Sequence, residues 1–471
     1  MVVNCDLVHQ AKEQVRSAIL AAVTSAVQAR ALPAAGLPEF AVEIPADTAH
    51  GDFAANIAMV SAKLYRMPPV KIAQAIVDHI DFTGTELERA EIAGPGFLNF
   101  FLRESWFAHV LEAVRDLGEA YGRTTHGGGR KVMVEFVSAN PTGPMHMGNA
   151  RGAAIGDCLA AALSAAGYDV EREFYVNDAG NQVEKFGLSL EARYLQIFKG
   201  EDTVPFPEDG YHGDDIKERA REYADSFGDA LLDLDSEARQ RKLVDYAMPR
   251  NIEKLRDDLL TYRVNYDTWF HESKLHETGA LKEMMDLLRE KGLTYEKEGA
   301  LWYKATEHGG EKDEVLVRGN GHPTYFAADI AYHYNKFAVR GFWKVINIWG
   351  ADHHGHVARL KGAMDAIGLS GDMLEIVLMQ FVRLIKDGEP YKMSKRTGRS
   401  ITLSDLIEEV PVDAARYFFN MREVGSTIDF DMDLAAEQSS HNPVYYVQYA
   451  HARICSIFSK IKADGVNVRD C

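Results

Sequence analysis

The fold of this chain is decided by residues 132–167, which read VMVEFVSANPTGPMHMGNARGAAIGDCLAAALSAAG. Residues 132–137 are nearly all apolar, which is typical of a parallel strand covered on both faces. Residues 138–149 form a loop, and the alanine-rich residues 150–166 then predict a helix that ends at Gly167. This order of strand, loop and helix predicts a doubly wound α/β sheet.

Similar strand signals return later in the chain. Residues 344–349 and 374–383 are apolar runs, and residues 247–262 between the first strand and these runs have helical spacing. Residues 198–243 are charged and polar, which indicates an insertion or a surface excursion. From residue 413 onward the pattern is mostly helical, so the sheet is expected to lie in the middle of the chain.

The first hundred residues predict a separate α/β appendage. Helical spacing covers residues 9–28, 54–65 and 70–79, and residues 92–102 place a Gly-Pro-Gly turn between two apolar runs that suggest strands. The glycine run within residues 124–129 precedes the first strand of the central sheet, whereas a phosphate-binding loop should follow a strand. We therefore interpret it as a linker.

Composition bounds the class of protein. The 471 residues exceed what one core usually supports, and 46% hydrophobic with 26% charged residues is typical of a soluble globular protein of two to four domains. Neither a signal peptide nor a membrane span is evident, so a cytoplasmic location is expected. The four cysteines are widely spaced, which argues against a zinc ribbon or a disulfide framework. A net charge of −18 weighs only weakly against RNA binding, because a local basic groove suffices.

The loop at residues 138–149 is the first candidate site. It lies at the carboxyl end of a predicted strand, where ligands bind in such sheets, and the next helix begins with free N–H groups that suit phosphate. His146 and Asn149 can donate hydrogen bonds, and Gly148 lets a nucleotide approach the backbone. The alternative for an isolated match is a turn with a capping asparagine.

Residues 392–399 are the second candidate site. They follow a strand and the dipeptide Asp387-Gly388, which favours a tight hairpin turn, and they carry two lysines and two arginines around a glycine. Such a loop can neutralise charge that develops on a leaving pyrophosphate. A solvated surface run is the alternative for this segment alone.

Together the two segments resemble the H-x-G-H and K-M-S-K-S signatures of class I aminoacyl-tRNA synthetases. The chain looks specifically like the arginyl-tRNA synthetase family, whose pattern is matched at residues 134–143, 177–182, 323–330 and 350–354. Asn149 departs from the signature, which usually has a second histidine there. The asparagine keeps a hydrogen bond but cannot become cationic.

The resemblance implies ligation of L-arginine to tRNA(Arg) through an adenylate, with ATP and Mg²⁺ as reactants. It implies the catalytic residues His146, Asn149, Lys392 and Lys395, with ATP also bound by Gly148, Met393, Ser394 and Arg396. It implies an arginine pocket made of Glu135, Ser138, Asn140, Tyr325, Asp329 and His353. The partners are expected to be tRNA(Arg), arginine and ATP, and the protein is expected to be a monomer.

Glu135 can also be judged physically. A carboxylate inside an apolar strand is costly unless a cation meets it, and a guanidinium would pair with it through two hydrogen bonds. The alternatives are a solvated strand end or an internal pair with a nearby Arg or Lys. The histidine cluster after Asp352 invites a zinc interpretation, but adjacent side chains rarely converge on one ion, so no metal site is predicted.

The predicted domains are an N-terminal tRNA-binding domain at 1–115, a Rossmann-type catalytic domain at 116–385, a loop and connecting domain at 386–425, and a helical anticodon-binding domain beginning at 426–471. The family's helical domain extends further, so the chain is expected to stop inside it. The rival hypotheses are another class I synthetase of the glutamyl or cysteinyl type, a small nucleotidyltransferase, and a non-catalytic RNA-binding paralogue. The carboxylates, the appendage and the preserved signatures speak against each in turn.

Overall fold

A computed structural model describes residues 6–391 and 401–466 of the chain. It divides into two compact units. One comprises Met1–Gly128 with Ala165–Gly167, and the other comprises Gly129–Ser164 with Tyr168–Cys471. No helix among the described residues is both long enough and apolar enough to pass through a bilayer.

The first unit is a four-stranded antiparallel sheet covered by helices. Its elements are α1 Leu7–Gln28, β1 Val42–Glu43, β2 Phe53–Ala55, α2 Ile57–Tyr65, α3 Pro69–Val77, β3 Leu87–Ala93, β4 Phe97–Leu102 and α4 Glu104–Leu117, with strand order β1-β2-β4-β3. Ile19 and Ile72 from the helices and Phe100 from β4 are fully buried in its core. The α/β appendage expected from the sequence is confirmed.

The second unit contains the remaining elements. In chain order they are β5 Lys131–Glu135, α5 Gly148–Ala165, β6 Asp169–Val176, α6 Asn181–Lys199, α7 Asp214–Phe227, α8 Ser236–Thr261, β7 Thr268–His271, α9 Ser273–Glu277, α10 Ala280–Glu290, β8 Thr294–Lys297, β9 Ala300–Tyr303, β10 Glu314–Val317, α11 Tyr325–Tyr334, β11 Lys344–Gly350, α12 His354–Ile367, β12 Leu374–Met379, β13 Val382–Lys386, β14 Glu389–Pro390, α13 Leu403–Glu409, α14 Val412–Asn420, β15 Ile428–Asp431, α15 Met432–Ala436 and α16 Pro443–Ala463. A π-helical turn, Asn335–Val339, continues α11.

A parallel five-stranded sheet of order β12-β11-β5-β6-β7 organises this unit. The chain runs outward from β5 through β6 to β7, and later returns on the other side of β5 through β11 to β12. The order therefore reverses between β5 and β11. In such sheets this reversal opens a crevice at the carboxyl ends of the two strands, which is where ligands bind. The predicted doubly wound fold is confirmed.

Helix α5 packs closely against the strand that precedes it. A Cβ atom on Gly156 would lie 2.2 Å from the Phe136 ring, so only glycine allows the helix to approach this near. The close approach fixes the start of α5 over the end of β5. The loop of residues 138–147 is thereby held above the sheet crevice.

A small second sheet follows the parallel one. Strands β13 and β14 form a hairpin in which Lys386 faces Glu389, while β15 adds to β13 in parallel. Asp387 and Gly388 both have positive φ, at 54° and 75°, as a two-residue hairpin turn requires. The turn predicted at this dipeptide is confirmed.

The loop before α5 also pairs with a distant segment. His146 and Thr402 form an antiparallel bridge, the Met147 N–H donates to the Ile401 carbonyl at 2.9 Å, and the Leu403 N–H donates to the Met145 carbonyl at 2.9 Å. The backbone of residues 401–403, which follow the second candidate site, is thus hydrogen-bonded to the first candidate site.

Arg151, in the first turns of α5, is fully buried. Its guanidinium donates to three backbone carbonyls, those of Gln380 at 2.8 Å, Ser426 at 2.9 Å and Glu423 at 3.0 Å. These carbonyls flank β13 and β15. Arg151 therefore ties α5 to both chain segments that enter the small sheet.

We expect Arg151→Met to lower the free energy of unfolding by about 3 kcal/mol, because three backbone carbonyls lose a buried, charged donor. Urea denaturation followed by circular dichroism measures the change. Arg241→Met is the matched control, since Arg241 is exposed on α8 and, among residues 6–391 and 401–466, its side chain bonds to Glu237 alone. Equal stability of the two variants would contradict the role given to Arg151.

Two boundaries differ from the sequence expectations. The single strand predicted at 374–383 is two strands, β12 and β13, because the chain leaves the parallel sheet at Gln380, whose carbonyl accepts from Arg151. The polar region at 198–243 contains α7 and the start of α8, so the helix expected from 247 begins at Ser236. Their apolar residues form a small core with α6, including Ile216, Tyr223 and Leu243. The polar composition reflects their outer faces.

Candidate active site

A cleft of 770 Å³ lies at the carboxyl ends of the strands flanking the reversal point. It is lined by all six residues predicted for the arginine pocket, namely Glu135, Ser138, Asn140, Tyr325, Asp329 and His353. The residues come from the end of β5, the loop after it, α11 and the start of α12. Sequence positions almost 220 residues apart are therefore brought into one cavity.

Glu135 is only 6% exposed, and its charge is met inside the protein. The Nζ atom of Lys336, which is fully buried, lies 2.5 Å from Glu135 Oε2. The Ser138 hydroxyl donates to the other carboxylate oxygen at 3.0 Å. Of the alternatives open for this residue, the internal ion pair is the one observed, and Glu135 nevertheless faces the cleft.

The backbone after Glu135 is strained. Val137 and Ser138 have φ values of 71° and 44°, in the left-handed region that a β-branched residue such as valine rarely adopts. The turn places the Ser138 hydroxyl where it also accepts from the Tyr175 N–H at 3.1 Å. Strain of this kind persists where surrounding contacts enforce it, and it clusters at functional sites.

Asp329 is the second carboxylate of the cleft. His356 Nε2 lies 2.8 Å from its Oδ2, and the Arg359 Nε–H donates to His356 Nδ1 at 2.6 Å. Because Nδ1 is occupied as an acceptor, the neutral His356 ring carries its proton on Nε2 and donates it to Asp329. Arg359 is held in turn by Glu314 at 2.5 Å. This chain orients Asp329 and leaves Oδ1 available to a ligand.

Glu272 is a third carboxylate, and the sequence analysis missed it. It follows β7, is 7% exposed, and lines an adjoining cavity of 610 Å³ that shares Gln182 and Tyr325 with the cleft. Its neighbouring charges, Asp329 and Asp178, are both negative. Burial, followed by these two charges, raises the pKa of Glu272 to about 7, although a hydrogen bond from Tyr175 opposes the shift.

Asn177 joins this carboxylate to Tyr325. Its amide Nδ2 donates to Glu272 Oε2 and to the Ala179 carbonyl, both at 3.1 Å, while its Oδ1 accepts from the Tyr325 hydroxyl. Tyr325 is 56% exposed at the cleft mouth, and burial of its hydroxyl raises its pKa. Asn177 therefore fixes the position of the Tyr325 side chain beside Glu272.

Asn140 and His353 lie at the rim. Both are exposed, and the His353 ring packs near Trp349 with centroids 6.0 Å apart. His353 Nε2 is 3.7 Å from Asp352 and does not contact Asp329. Within the predicted histidine cluster, the residue that touches a pocket carboxylate is His356, one helical turn further along.

The first candidate site, residues 138–149, contributes Ser138 and Asn140 to the cleft lining. His146 Nδ1 accepts from the Gly148 N–H at 3.1 Å, and desolvation lowers the His146 pKa, so the ring is a neutral donor through Nε2. The next N–H groups of α5 are also engaged: that of Asn149 donates to the His146 carbonyl and that of Ala150 to the Met147 carbonyl, both at 2.9 Å. The other predicted ATP residues, Lys392, Met393, Ser394, Lys395 and Arg396, lie outside the described residues.

Across residues 6–391 and 401–466, no three His, Cys, Asp or Glu side chains converge in an arrangement that would hold a metal ion. Of the histidines after Asp352, His353 and His356 line the cleft, and His356 bonds to Asp329. The described part of the cleft offers carboxylates and uncharged hydrogen-bond donors.

Comparisons with known proteins agree on one family. Residues 10–102 match the arginyl-tRNA synthetase N-terminal domain, and residues 114–455 match the catalytic domain of class I (R) tRNA synthetases. The chain is 54% identical over 465 residues to an arginine–tRNA ligase of Acetivibrio thermocellus, covering 99% of this chain and 82% of that protein. An arginine–tRNA ligase of Caldanaerobacter subterraneus gives the same identity and coverage.

A solved structure shows the same fold. The arginyl-tRNA synthetase of Thermus thermophilus superposes with a TM-score of 0.65 at 22% identity, covering 95% of this chain and 82% of that one. The two family models together span most of the sequence, and the relatives match nearly its full length. The chain belongs to the arginyl-tRNA synthetase family of class I aminoacyl-tRNA synthetases.

Proposed function

We propose that the cleft binds L-arginine with its guanidinium among Glu135, Asp329 and Glu272 and with its carboxylate directed toward His146. The reaction itself, ATP-dependent ligation of arginine to its tRNA, is that of the family. The proposal concerns which residues carry it out. The α-amino group is assigned to Asn140 and Ser138 at the cleft rim.

The observation that carries the proposal is the charge balance of the cleft. Glu135 and Asp329 line the cleft and Glu272 lines the adjoining cavity, yet only Glu135 has a lysine or arginine ion-pair partner among the described residues, Lys336. Asp329 bonds to a histidine, and Glu272 bonds to Asn177 and Tyr175, although Arg318, His276 and His322 also line its cavity. Buried carboxylates without cations are costly, so a cationic ligand would relieve that cost.

The shape of the site favours a guanidinium over an ammonium. Its planar fork can donate to two or three acceptors in fixed directions, whereas an ammonium is a compact point charge. The rings of Tyr175, Tyr332 and Trp349 also line the cleft, and a flat guanidinium can stack on such rings. A pocket of this kind rejects uncharged amino acids directly, because its carboxylates would stay unpaired.

The proposed chemistry is in-line attack of the arginine carboxylate on the α-phosphate of MgATP, with pyrophosphate leaving. His146 donates from Nε2 to a phosphate oxygen, because its Nδ1 is occupied by the Gly148 N–H. Lys392 and Lys395, with Asn149, are assigned to charge that develops on the phosphates. A ribose hydroxyl at the tRNA terminus then attacks the adenylate.

The tRNA half of the proposal rests on the first unit and on α16. Helix α16 exposes Tyr446 at 64% and Tyr449 at 51%, and such rings can stack on unpaired bases. We assign the domains as the sequence suggested, with tRNA contacts on residues 1–115 and on the helical region from 426. The proposal also takes the enzyme to act in the cytoplasm as a monomer.

The test is aminoacylation of tRNA(Arg) transcript by this chain, supplied with ATP and radiolabelled amino acid. We expect charging with arginine and, at equal concentration, at least about 1,000-fold lower kcat/KM with citrulline, which keeps the shape but lacks the charge. Lysine should also be charged with a much lower kcat/KM, because its compact ammonium cannot donate hydrogen bonds to several separated carboxylates at once. Comparable kcat/KM values for citrulline and arginine would rule out the carboxylate pocket.

A further inference from the structure

We infer that Lys336 is a positioning residue of the arginine site, one that acts through Glu135 and a buried hydrogen-bond relay. The inference rests on the arginine pocket proposed above and extends it to a residue that touches no substrate. Lys336 lies in the π-helical turn Asn335–Val339 that continues α11, the helix that also carries Tyr325 and Asp329. Single π-helical turns frequently occur at functional sites.

The relay consists of side chains that are almost completely inaccessible. Lys336 and Asn347 are 0% exposed and His333 is 2% exposed. Lys336 Nζ donates to Glu135 Oε2 at 2.5 Å and to Asn347 Oδ1 at 3.3 Å. Asn347 Nδ2 and His333 Nε2 are 2.8 Å apart, and His333 Nδ1 lies 2.8 Å from the Asp329 carbonyl.

The direction of every bond in this relay is fixed by Lys336. An ammonium only donates, so Asn347 must present its oxygen to Lys336 and its NH₂ group to His333. His333 Nε2 must then accept, and its proton lies on Nδ1, where it donates to the Asp329 carbonyl. Burial, followed by the charge of Lys336, lowers the pKa of His333 well below its ordinary value, which keeps the ring neutral as the relay requires.

The two ends of the relay are two of the three carboxylate-bearing residues proposed for arginine, Glu135 and Asp329. At one end Lys336 holds Glu135 Oε2, leaving Oε1 to Ser138 and to the cleft. At the other end His333 bonds to the backbone of Asp329. The relay therefore joins β5, β11 and α11 at the floor of the cleft and sets the positions of both carboxylates relative to each other.

A parallel pair nearby provides a matched control. Glu173 lies directly beside Glu135 in the register of β5 and β6, and it is also fully buried. Its cation is Arg340, at 2.6 Å, one helical turn after Lys336. Arg340 is 21% exposed and also pairs with Glu171, so its pair is less buried than that of Lys336. Glu173 does not line the cleft, so only the Lys336 pair should affect arginine binding.

The experiment measures arginine binding by isothermal titration calorimetry and steady-state charging for Lys336→Met, Glu135→Gln, the double variant and Arg340→Met. We expect Lys336→Met to weaken arginine binding by about tenfold or more, because Glu135 loses both its anchor and its charge balance, and to leave the KM for ATP within about twofold. In the Glu135→Gln background the same substitution should change arginine affinity by less than about threefold.

Arg340→Met should lower thermal stability without this change in arginine affinity. An equal loss of arginine affinity from Lys336→Met in both backgrounds would reduce Lys336 to a packing role and overturn the inference. Tighter arginine binding by Lys336→Met would overturn it too, since Lys336 would then merely compete with the substrate. If Lys336→Met does not fold, Asn347→Ser tests the same relay by removing the second acceptor of the ammonium.

Failure of the inference is distinguishable from failure of the proposed pocket. Glu135→Gln alone tests the pocket, since unchanged arginine affinity in that variant would show that Glu135 does not serve the substrate. The comparison of Lys336→Met across the two backgrounds tests only the relay.

Discussion

Replacing Asp329 with Asn should raise the KM for arginine by about 100-fold and lower kcat much less. Asp329 offers the substrate its free Oδ1 while His356 holds Oδ2, so the variant keeps the shape and the histidine contact but loses the charge. A charge-assisted pair with a guanidinium is about twice as strong as a neutral hydrogen bond. Steady-state charging at varied arginine concentration measures the effect.

The control for this prediction is Glu290→Gln. Glu290 is an exposed carboxylate at the end of α10, and the same chemical change there should leave the KM for arginine unaltered. Thermal melting of both variants separates a binding defect from a folding defect. A KM for arginine that stays within about threefold of the parent value in Asp329→Asn would remove Asp329 from the pocket.

The second large effect is a pH dependence that comes from Glu272. Its pKa of about 7 means that the carboxyl is largely protonated in mildly acidic solution, and a guanidinium binds the charged form. Arginine binding must then expel a proton. The dissociation constant for arginine should rise by up to about tenfold for each unit that pH falls below 7 and should level off above about pH 8.

The groups that face Glu272 determine the pH range over which arginine affinity changes. They are Tyr175 from β6, Asp178 after β6 and Asp329 from α11, and the histidines of the adjoining cavity are His276 and His322. Calorimetry in two buffers of different ionisation enthalpy detects proton release at pH 6.5. Glu272→Gln should abolish both the release and the slope, whereas Glu184→Gln, an exposed carboxylate of the same cavity, should keep both. Proton release that persists in Glu272→Gln would assign the titration elsewhere.

Glu272 affects the free energy of unfolding with the opposite pH dependence from arginine affinity. Because its folded pKa of about 7 exceeds the ordinary 4.5, the folded protein binds a proton between these pH values that the unfolded chain releases. The stabilisation is complete below pH 4.5 and is lost as pH rises through 7. At pH 8 Glu272→Gln should therefore gain about 3 kcal/mol of unfolding free energy while it loses arginine affinity.

Much of the architecture followed from local patterns in the sequence. Residues 132–167 predicted β5, the loop and α5 because an apolar strand and an alanine-rich helix have different periods. The hairpin at Asp387-Gly388 followed from turn chemistry. The break at Gln380 did not, because residues 374–383 are mostly apolar on both sides of it and the residue that bonds the Gln380 carbonyl is Arg151, more than 200 positions earlier in the chain.

The residues of the cleft were predicted in part, because some show a local sequence signal and others depend on long-range packing. Glu135 stood out as a charge inside an apolar strand, but nothing in the sequence identified Lys336 as its partner, since that pairing depends on the packing of a π-helical turn against β5. Glu272 was missed because β7 is only four residues long and gave no strand signal. A carboxylate directly after a parallel strand would otherwise have marked the same edge of the sheet.

His353 and His356 illustrate the limit of sequence motifs at the scale of one helical turn. Both belong to the same short cluster, and the resemblance favoured His353, yet the Asp329 contact is made by His356. Their roles depend on where α12 begins, and helix boundaries are the least certain feature of a sequence-based assignment.

The antiparallel pairing of residues 145–147 with residues 401–403 affects the order in which the two sites can form during synthesis on the ribosome. Its two sides are separated by roughly 250 residues, which at ~5–20 residues per second means that His146 waits ~10–50 s for Thr402 to be synthesised. The strands and helices that carry Glu135, Glu272, Asp329 and His356 all emerge before then. The amino-acid cleft can thus assemble on a nascent chain whose nucleotide site is still incomplete.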